Sequence, residues 1–269
     1  HLFKNLQSLS IHLSNVSSFP PEIQHLQNLE TLDLSNTEFV EFPSIITNLE
    51  KLKNISFFQN HFEYIPDSIV NLQHLEVLSF IHCRLKECPN AILELTNLKE
   101  LYISGNEEII IPFGISNLTK LERLGLHSNK IKECPVSIFD LEKLEFLDLS
   151  SNNIQTIPTS IEKLKKLEEL ILSSNRHMQN CLFLNLPRLE RLVVDRHITD
   201  IILNEKVEHN ILITNGYHSY SNTVRYINEF ERVNFLRQMK REHIDTLNIC
   251  IPDRIKCSIC YSLLFFPRV

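Results

Sequence analysis

Leucine returns along this chain with a fixed step. Positions 6, 29, 52, 75, 98, 121, 144 and 167 are leucine, each 23 residues after the last, and Leu189 follows one residue short. Each unit reads L-x-x-L-x-L-x-x-N-x-L-x-x-L-P-x-x-I-x-x-L with substitutions. The cleanest comprises Leu144, Leu147, Leu149, Asn152, Ile154, Ile157, Pro158, Ile161 and Leu164. The x-L-x-L-x stretch alternates with period two and predicts a short strand whose leucines point inward. Pro20, Pro43, Pro66, Pro89, Pro112, Pro135 and Pro158 fix φ where a helical segment begins. The pair that follows each, Ile23/Leu26 through Ile161/Leu164, packs that segment on the strands. A single unit of this kind cannot bury its apolar face, so neighbouring units stack and their strands pair in parallel.

The pattern decays toward the C-terminus. The eighth unit loses its proline and puts Asn180 where an apolar residue is expected; the ninth keeps Leu189, Leu192 and Val194, then drifts. Terminal units of a repeat array are expected to be atypical, because they cover an otherwise open core. The chain therefore divides into repeats over 1–200, an irregular cap with an amphipathic helix over 201–250, and a tail over 251–269. Asn222 caps the expected helix, which runs through Val224, Ile227, Phe230, Val233, Leu236 and Met239. Arg225, Arg232, Arg237, Lys240 and Arg241 occupy its remaining surface. A solvated helix packed against the repeat end or a following domain is preferred to a membrane or nucleic-acid face.

Over residues 2–200 this pattern resembles the leucine-rich-repeat family, in the 23-residue Ras-group variant that is also widespread among bacterial repeat proteins. The resemblance implies an α/β solenoid with a helical cap. Its concave side is a curved parallel sheet, and its convex side carries short helical or 3-10 segments. It also implies a role for the Asn slot, filled by Ser14, Thr37, Asn60, Cys83, Asn106, Asn129, Asn152 and Asn175. That side chain bonds backbone groups of the turn leaving the strand; Ser and Thr do so partly, and Cys83 is expected to do so poorly.

The tail, Ile251-Pro252-Asp253-Arg254-Ile255-Lys256-Cys257-Ser258-Ile259-Cys260, is similar to the opening of RING and U-box domains. In a RING, Cys257 and Cys260 would form the first zinc pair. With nine residues after Cys260, no complete zinc site is expected in this sequence. A chance C-x-x-C in an apolar tail is the alternative. If the resemblance holds, it implies the recognition arm of an E3 ubiquitin ligase, working with a ubiquitin-conjugating enzyme should a ligase domain follow. Such pairings are typical of effectors that intracellular bacteria deliver into a host cytoplasm.

Composition narrows the chemistry. The 269 residues contain only four glycines, Gly105, Gly114, Gly125 and Gly216. None fits GxGxxG or GxxxxGK[ST], which excludes a glycine-built phosphate cradle. Asn and Pro are expected to supply the turns instead. A net charge of −6, from 27 basic and 33 acidic residues, argues against a nucleic-acid partner. No apolar run reaches the roughly 18 residues of a membrane span, so no membrane partner is expected. Seven cysteines form no even, clustered framework, and Cys83, Cys88, Cys134 and Cys181 sit in apolar patterns. A reducing, cytoplasmic setting suits them.

Counting from each first leucine, positions 3, 5, 7, 8 and 10 face the hollow of the solenoid. Small polar residues dominate there: Ser8, Ser10, Ser35, Ser56, Ser79, Ser104, Ser150 and Ser173. Against them the middle units set Phe58, Val77, Ile81, Tyr102 and Phe146, with His82, Arg123 and His127 nearby. Aromatic area bordered by Arg and His is what a protein-binding hot spot needs, so these eight are the candidate partner-binding residues. The alternative is that exposed strand positions simply favour β-formers. Asp33, Glu38, Glu100, Glu107, Asp148 and Glu169 are dispersed over the same face. His12, His82 and His127 are expected to lie too far apart for a metal, and neither metal nor cofactor is expected. No G-x-S-x-G elbow exists, and Cys83 and Cys88 occupy core slots that disfavour a nucleophile beside His82. Two readings stay open: a protein-binding module acting through the concave face, and the recognition part of a ubiquitin ligase.

Overall fold

Ten short strands pair side by side, all parallel and in strict chain order, to form one sheet. They are β1 (Ser8–Ser10), β2 (Thr31–Asp33), β3 (Asn54–Ser56), β4 (Val77–Ser79), β5 (Glu100–Tyr102), β6 (Arg123–Gly125), β7 (Phe146–Asp148), β8 (Glu169–Ile171), β9 (Arg191–Val194) and β10 (Leu212–Asn215). This computed structural model describes residues 3–12, 14–106, 108–179, 186–195 and 198, together with the strand Leu212–Asn215. The expected helix from Asn222 and the Cys257–Cys260 pair lie outside the described residues. β10 lies beyond residue 200 and pairs with β9.

The 23-residue step appears directly as register. Leu32, Ile55, Leu78, Leu101, Leu124, Leu147 and Leu170 are successive partners in the sheet. All seven are buried, as are the first leucines from Leu29 to Leu167. Each such side chain removed from water contributes about 1.5–3 kcal/mol before chain entropy is subtracted. In the N-terminal units the core is aromatic: Phe57 and Phe80 stack at 5.4 Å, and Phe62 meets both edge-on.

Each proline from Pro20 to Pro158 immediately precedes a five-residue 3-10 segment, from Pro21–His25 to Thr159–Lys163. The proline carbonyl accepts the N–H of the isoleucine three residues on, as in Ile23 to Pro20 and Ile161 to Pro158, both 3.1 Å. The sequence rule for the convex side therefore holds, with 3-10 rather than α geometry throughout the described units.

The Asn slot holds the turn leaving each strand, as the resemblance implies, although the left-handed residue of that turn is rarely asparagine. At the eighth position of every unit from the second to the eighth, the backbone is left-handed: Asn36, Gln59, His82, Gly105, Ser128, Ser151 and Ser174 all have positive φ. Only one of these is asparagine and only one glycine. The turn is held from the ninth position, the Asn slot itself. Asn152 is buried; its Oδ1 accepts the N–H groups of Asn129 (3.0 Å) and Ile131 (2.9 Å), and its Nδ2 donates to the carbonyls of Leu126, Leu149 and Ser150. Asn106 and Asn175 repeat the pattern. This ladder fixes otherwise unpaired backbone groups and so overrides the preference of Gln, His and Ser for negative φ.

Candidate functional site

The strands place one residue in three of the fourth to seventh units at the same height: Val77, Arg123 and Phe146 at the third position, with Tyr102 two residues further along its strand. Phe58, Ile81, His82 and His127 leave the strand ends beside them. All eight predicted residues are half-buried. Two runs of contacts account for six of them.

The first run is polar at one end and aromatic at the other. The Tyr102 hydroxyl donates to Glu100 Oε2 at 2.7 Å, and Arg123 Nε donates to the Tyr102 oxygen at 3.1 Å. The Arg123 guanidinium then lies over the Phe146 ring, 4.2 Å from its centroid. A guanidinium held this way loses its freedom to swing. Burial first, then the hydrogen bond it donates to Glu100, hold the Tyr102 phenol above its ordinary pKa. It is a neutral donor through the physiological range. Beyond Phe146 the same column continues as Glu169, which pairs with Arg191.

The second run is made of rings. Phe58 meets His82 edge-on at 6.0 Å, and His82 meets His127 at 6.3 Å. This overturns the expectation that the histidines are separated by repeat spacing. His82 and His127 belong to units four and six, yet they touch, because the intervening residue is Gly105. A Cβ on Gly105 would collide with the His82 imidazole. His12 stays apart, 3.6 Å from Asp33 Oδ2 at the N-terminal end. Among the described residues no three metal-ligating side chains converge.

Gly125 does for Tyr102 what Gly105 does for His82: a Cβ there would meet Tyr102 Cδ1 at 2.6 Å. Sequence reading missed both glycines as site residues. The legible signal is a glycine on a hollow-facing position directly after a unit with a large side chain there. Four of the hollow-facing serines are covered. Ser79, Ser104, Ser150 and Ser173 are buried. Ser104, fully covered, accepts the His127 N–H at 3.2 Å. The serines form the floor on which the larger residues lie.

Val77 and Ile81 join neither run. They wall a shallow trough of about 420 Å³, whose remaining lining is Thr31, Leu32, Asp33, Asn54, Ile55, Ser56, Ser79 and Tyr102. Cys83 and Cys88, the residues weighed as nucleophiles, are buried as expected; burial pushes their thiols, and that of Cys134, up to about 12.

Comparison with known proteins agrees with this geometry. A profile described as "Leucine-rich repeat region" matches residues 2–101 and 52–129, and a second, "Leucine rich repeat", matches 119–176. The chain belongs to the leucine-rich-repeat family. The sequence matches no curated protein. Among solved structures, an internalin from Listeria monocytogenes superposes with a TM-score of 0.67 at 23% identity, covering 81% of this chain and 63% of that one. A leucine-rich-repeat protein of Leptospira interrogans gives 0.58 at 27% identity, over 78% and 60%. The PEPR1–AtPEP1 complex gives 0.59 at 24%, over 78% of this chain and 34% of that one. The chain thus spans less than two thirds of each of these three proteins. The fold of this family serves protein–protein interaction. No helix among the described residues is long and apolar enough to cross a membrane.

Proposed function

We propose that this leucine-rich-repeat protein binds a partner protein through the concave strand face, centred on Phe58, His82, Tyr102, Arg123, His127 and Phe146. One observation carries the reading. These side chains are large, half-buried and held by contacts that cross from unit to unit, on a face otherwise floored by small residues. Side chains fixed before the partner arrives lose little entropy on binding, and Tyr and Arg with adjoining rings are the residues that dominate interfaces. The proposal puts the module in a reducing compartment such as the cytoplasm, since Cys83, Cys88 and Cys134 are free buried thiols.

The test is affinity capture with the wild-type chain and with Phe58→Ala/Tyr102→Ala, both shown to be folded by an unchanged urea transition. The double variant should lose the captured protein. Equal recovery by both proteins rejects this face.

A further inference from the structure

The trough beside the cluster has its own chemistry. Its long axis crosses the strands from Asp33 through Ser56 and Ser79 to Tyr102, four residues in direct register. At about 4.8 Å per strand step, Asp33 and Tyr102 stand about 14 Å apart. The two serines between them are too short to fill that space, and Val77 and Ile81 wall it with aliphatic surface. The result is an open slot with apolar sides, a hydroxyl floor and a phenol at one end.

The other end is anionic. Asp33 is the one ionisable carboxylate among the residues lining the trough. It is held in place: Oδ1 accepts the Ser35 N–H at 3.0 Å and the Ser35 hydroxyl at 2.5 Å, while Oδ2 accepts the Ser10 hydroxyl at 3.4 Å. A carboxylate offers about four acceptor positions, so these donors leave room for a further one. His12 Nδ1, 3.6 Å from Oδ2, is the nearby basic group at that end. Glu100, in register with Val77, lies on the Tyr102 strand at the opposite end and accepts the Tyr102 hydroxyl. Arg123, the neighbouring cation, is directed onto Tyr102 and Phe146 rather than toward Asp33.

We infer that the trough takes a segment of the partner protein that presents an aliphatic or aromatic side chain close in sequence to Lys or Arg. The apolar side chain packs on Val77, Ile81 and the Tyr102 ring. The cation reaches Asp33. The occupant follows from charge complementarity: an apolar slot with a fixed carboxylate at one end disfavours an acidic segment, and a cation on the segment adds a charge-assisted bond that a purely apolar one cannot make. This rests on the concave-face reading and narrows it to a class of ligand.

The test selects 12-residue peptides from a random displayed library against the full chain, then measures synthetic copies by fluorescence anisotropy. Enriched peptides should pair an apolar residue with Lys or Arg. Ser56→Leu, which fills the slot, should weaken them about tenfold or more, and Asp33→Asn about fivefold with loss of most salt dependence. An unchanged urea transition shows that each variant is folded. Peptides that survive Ser56→Leu and Asp33→Asn but fail with Phe58→Ala/Phe146→Ala would overturn the trough while keeping the concave-face reading. Enrichment of acidic peptides would overturn the ligand class. Failure to enrich any peptide, or binding indifferent to all four substitutions, would overturn both. A wild-type dimer in sedimentation that Ser56→Leu dissolves would make a second copy of the chain the occupant and overturn the partner assignment.

Discussion

Tyr102 lies so close over Gly125 that a Cβ on residue 125 would meet its Cδ1 at 2.6 Å. The two residues belong to adjacent strands at the same register position. The missing side chain in one unit therefore sets the posture of the large side chain in the unit before it. Gly125→Ala should lift Tyr102 off the sheet and break its link to Arg123. The fold should lose about 1 kcal/mol, while partner affinity should fall about tenfold. Urea unfolding beside a binding titration checks this, and unchanged affinity would show that the Tyr102 posture does not matter.

Cys83 is the weak rung of the asparagine ladder. Its Sγ reaches the Phe57 carbonyl at 2.7 Å, so the slot still supplies a donor. Asn106, one unit on, accepts both the Cys83 and the Leu85 N–H at 3.0 Å and donates to the Phe80 carbonyl. By the same geometry Cys83→Asn would accept from Asn60 and Phe62 and donate to Phe57 and Phe80. It should stabilise the chain by about 1 kcal/mol. Asn152→Ala removes a complete rung and should cost about 3 kcal/mol or more, because several buried backbone groups lose partners together. Urea midpoints of the two variants should move in opposite directions.

Gln59 occupies a left-handed backbone position, φ 54, with an exposed side chain. A non-glycine residue there costs about 1–2 kcal/mol relative to the right-handed region, and glycine does not share that cost. Gln59→Gly should therefore raise stability by about 1 kcal/mol, against the usual trend for glycine substitutions. A lower thermal midpoint would mean that Gln59 makes contacts that outweigh its strain.

Burial pushes the thiols of Cys83, Cys88 and Cys134 from an ordinary 9.0 up to about 12. Iodoacetamide at pH 8, read peptide by peptide in a mass spectrometer, should leave all three unlabelled until urea unfolds the chain. The raised values also fix a direction with pH. Below pH 9 both states hold these protons and the groups contribute fully to stability. Between pH 9 and about 12 the unfolded chain releases protons that the folded one keeps, so stability falls as pH rises. A urea midpoint that rises from pH 9 to pH 11 would contradict buried, neutral thiols.

Part of the candidate site was legible and part was not. The alternation around Leu101 and Leu124 tells which residues face the hollow, so Tyr102, Arg123 and the other six could be named from spacing alone. The same spacing suggested that His82 and His127 stay apart. It counts units along the chain, whereas a side chain can lean across a unit whose own residue is small, as His82 does over Gly105. The scarcity of glycine pointed to asparagine turns, and the asparagines do hold them, though from beside the left-handed residue. Composition records which residues are present, and only the hydrogen-bond pattern shows that Asn129 and Asn152 hold turns whose left-handed residues are Ser128 and Ser151.

The sequence by itself determined the repeat, the strand register, the proline-started convex segments and the list of hollow-facing residues. All of these follow from one periodic apolar pattern that can be buried in only one way. Tertiary structure alone decided how the hollow-facing residues combine into a Phe58–His82–His127 run, a Glu100–Tyr102–Arg123–Phe146 run and an open trough ending at Asp33. Those outcomes depend on which neighbour lacks a side chain and which donor finds an acceptor across a strand gap of about 4.8 Å. Periodicity fixes positions along the chain; contacts between units fix where each side chain points.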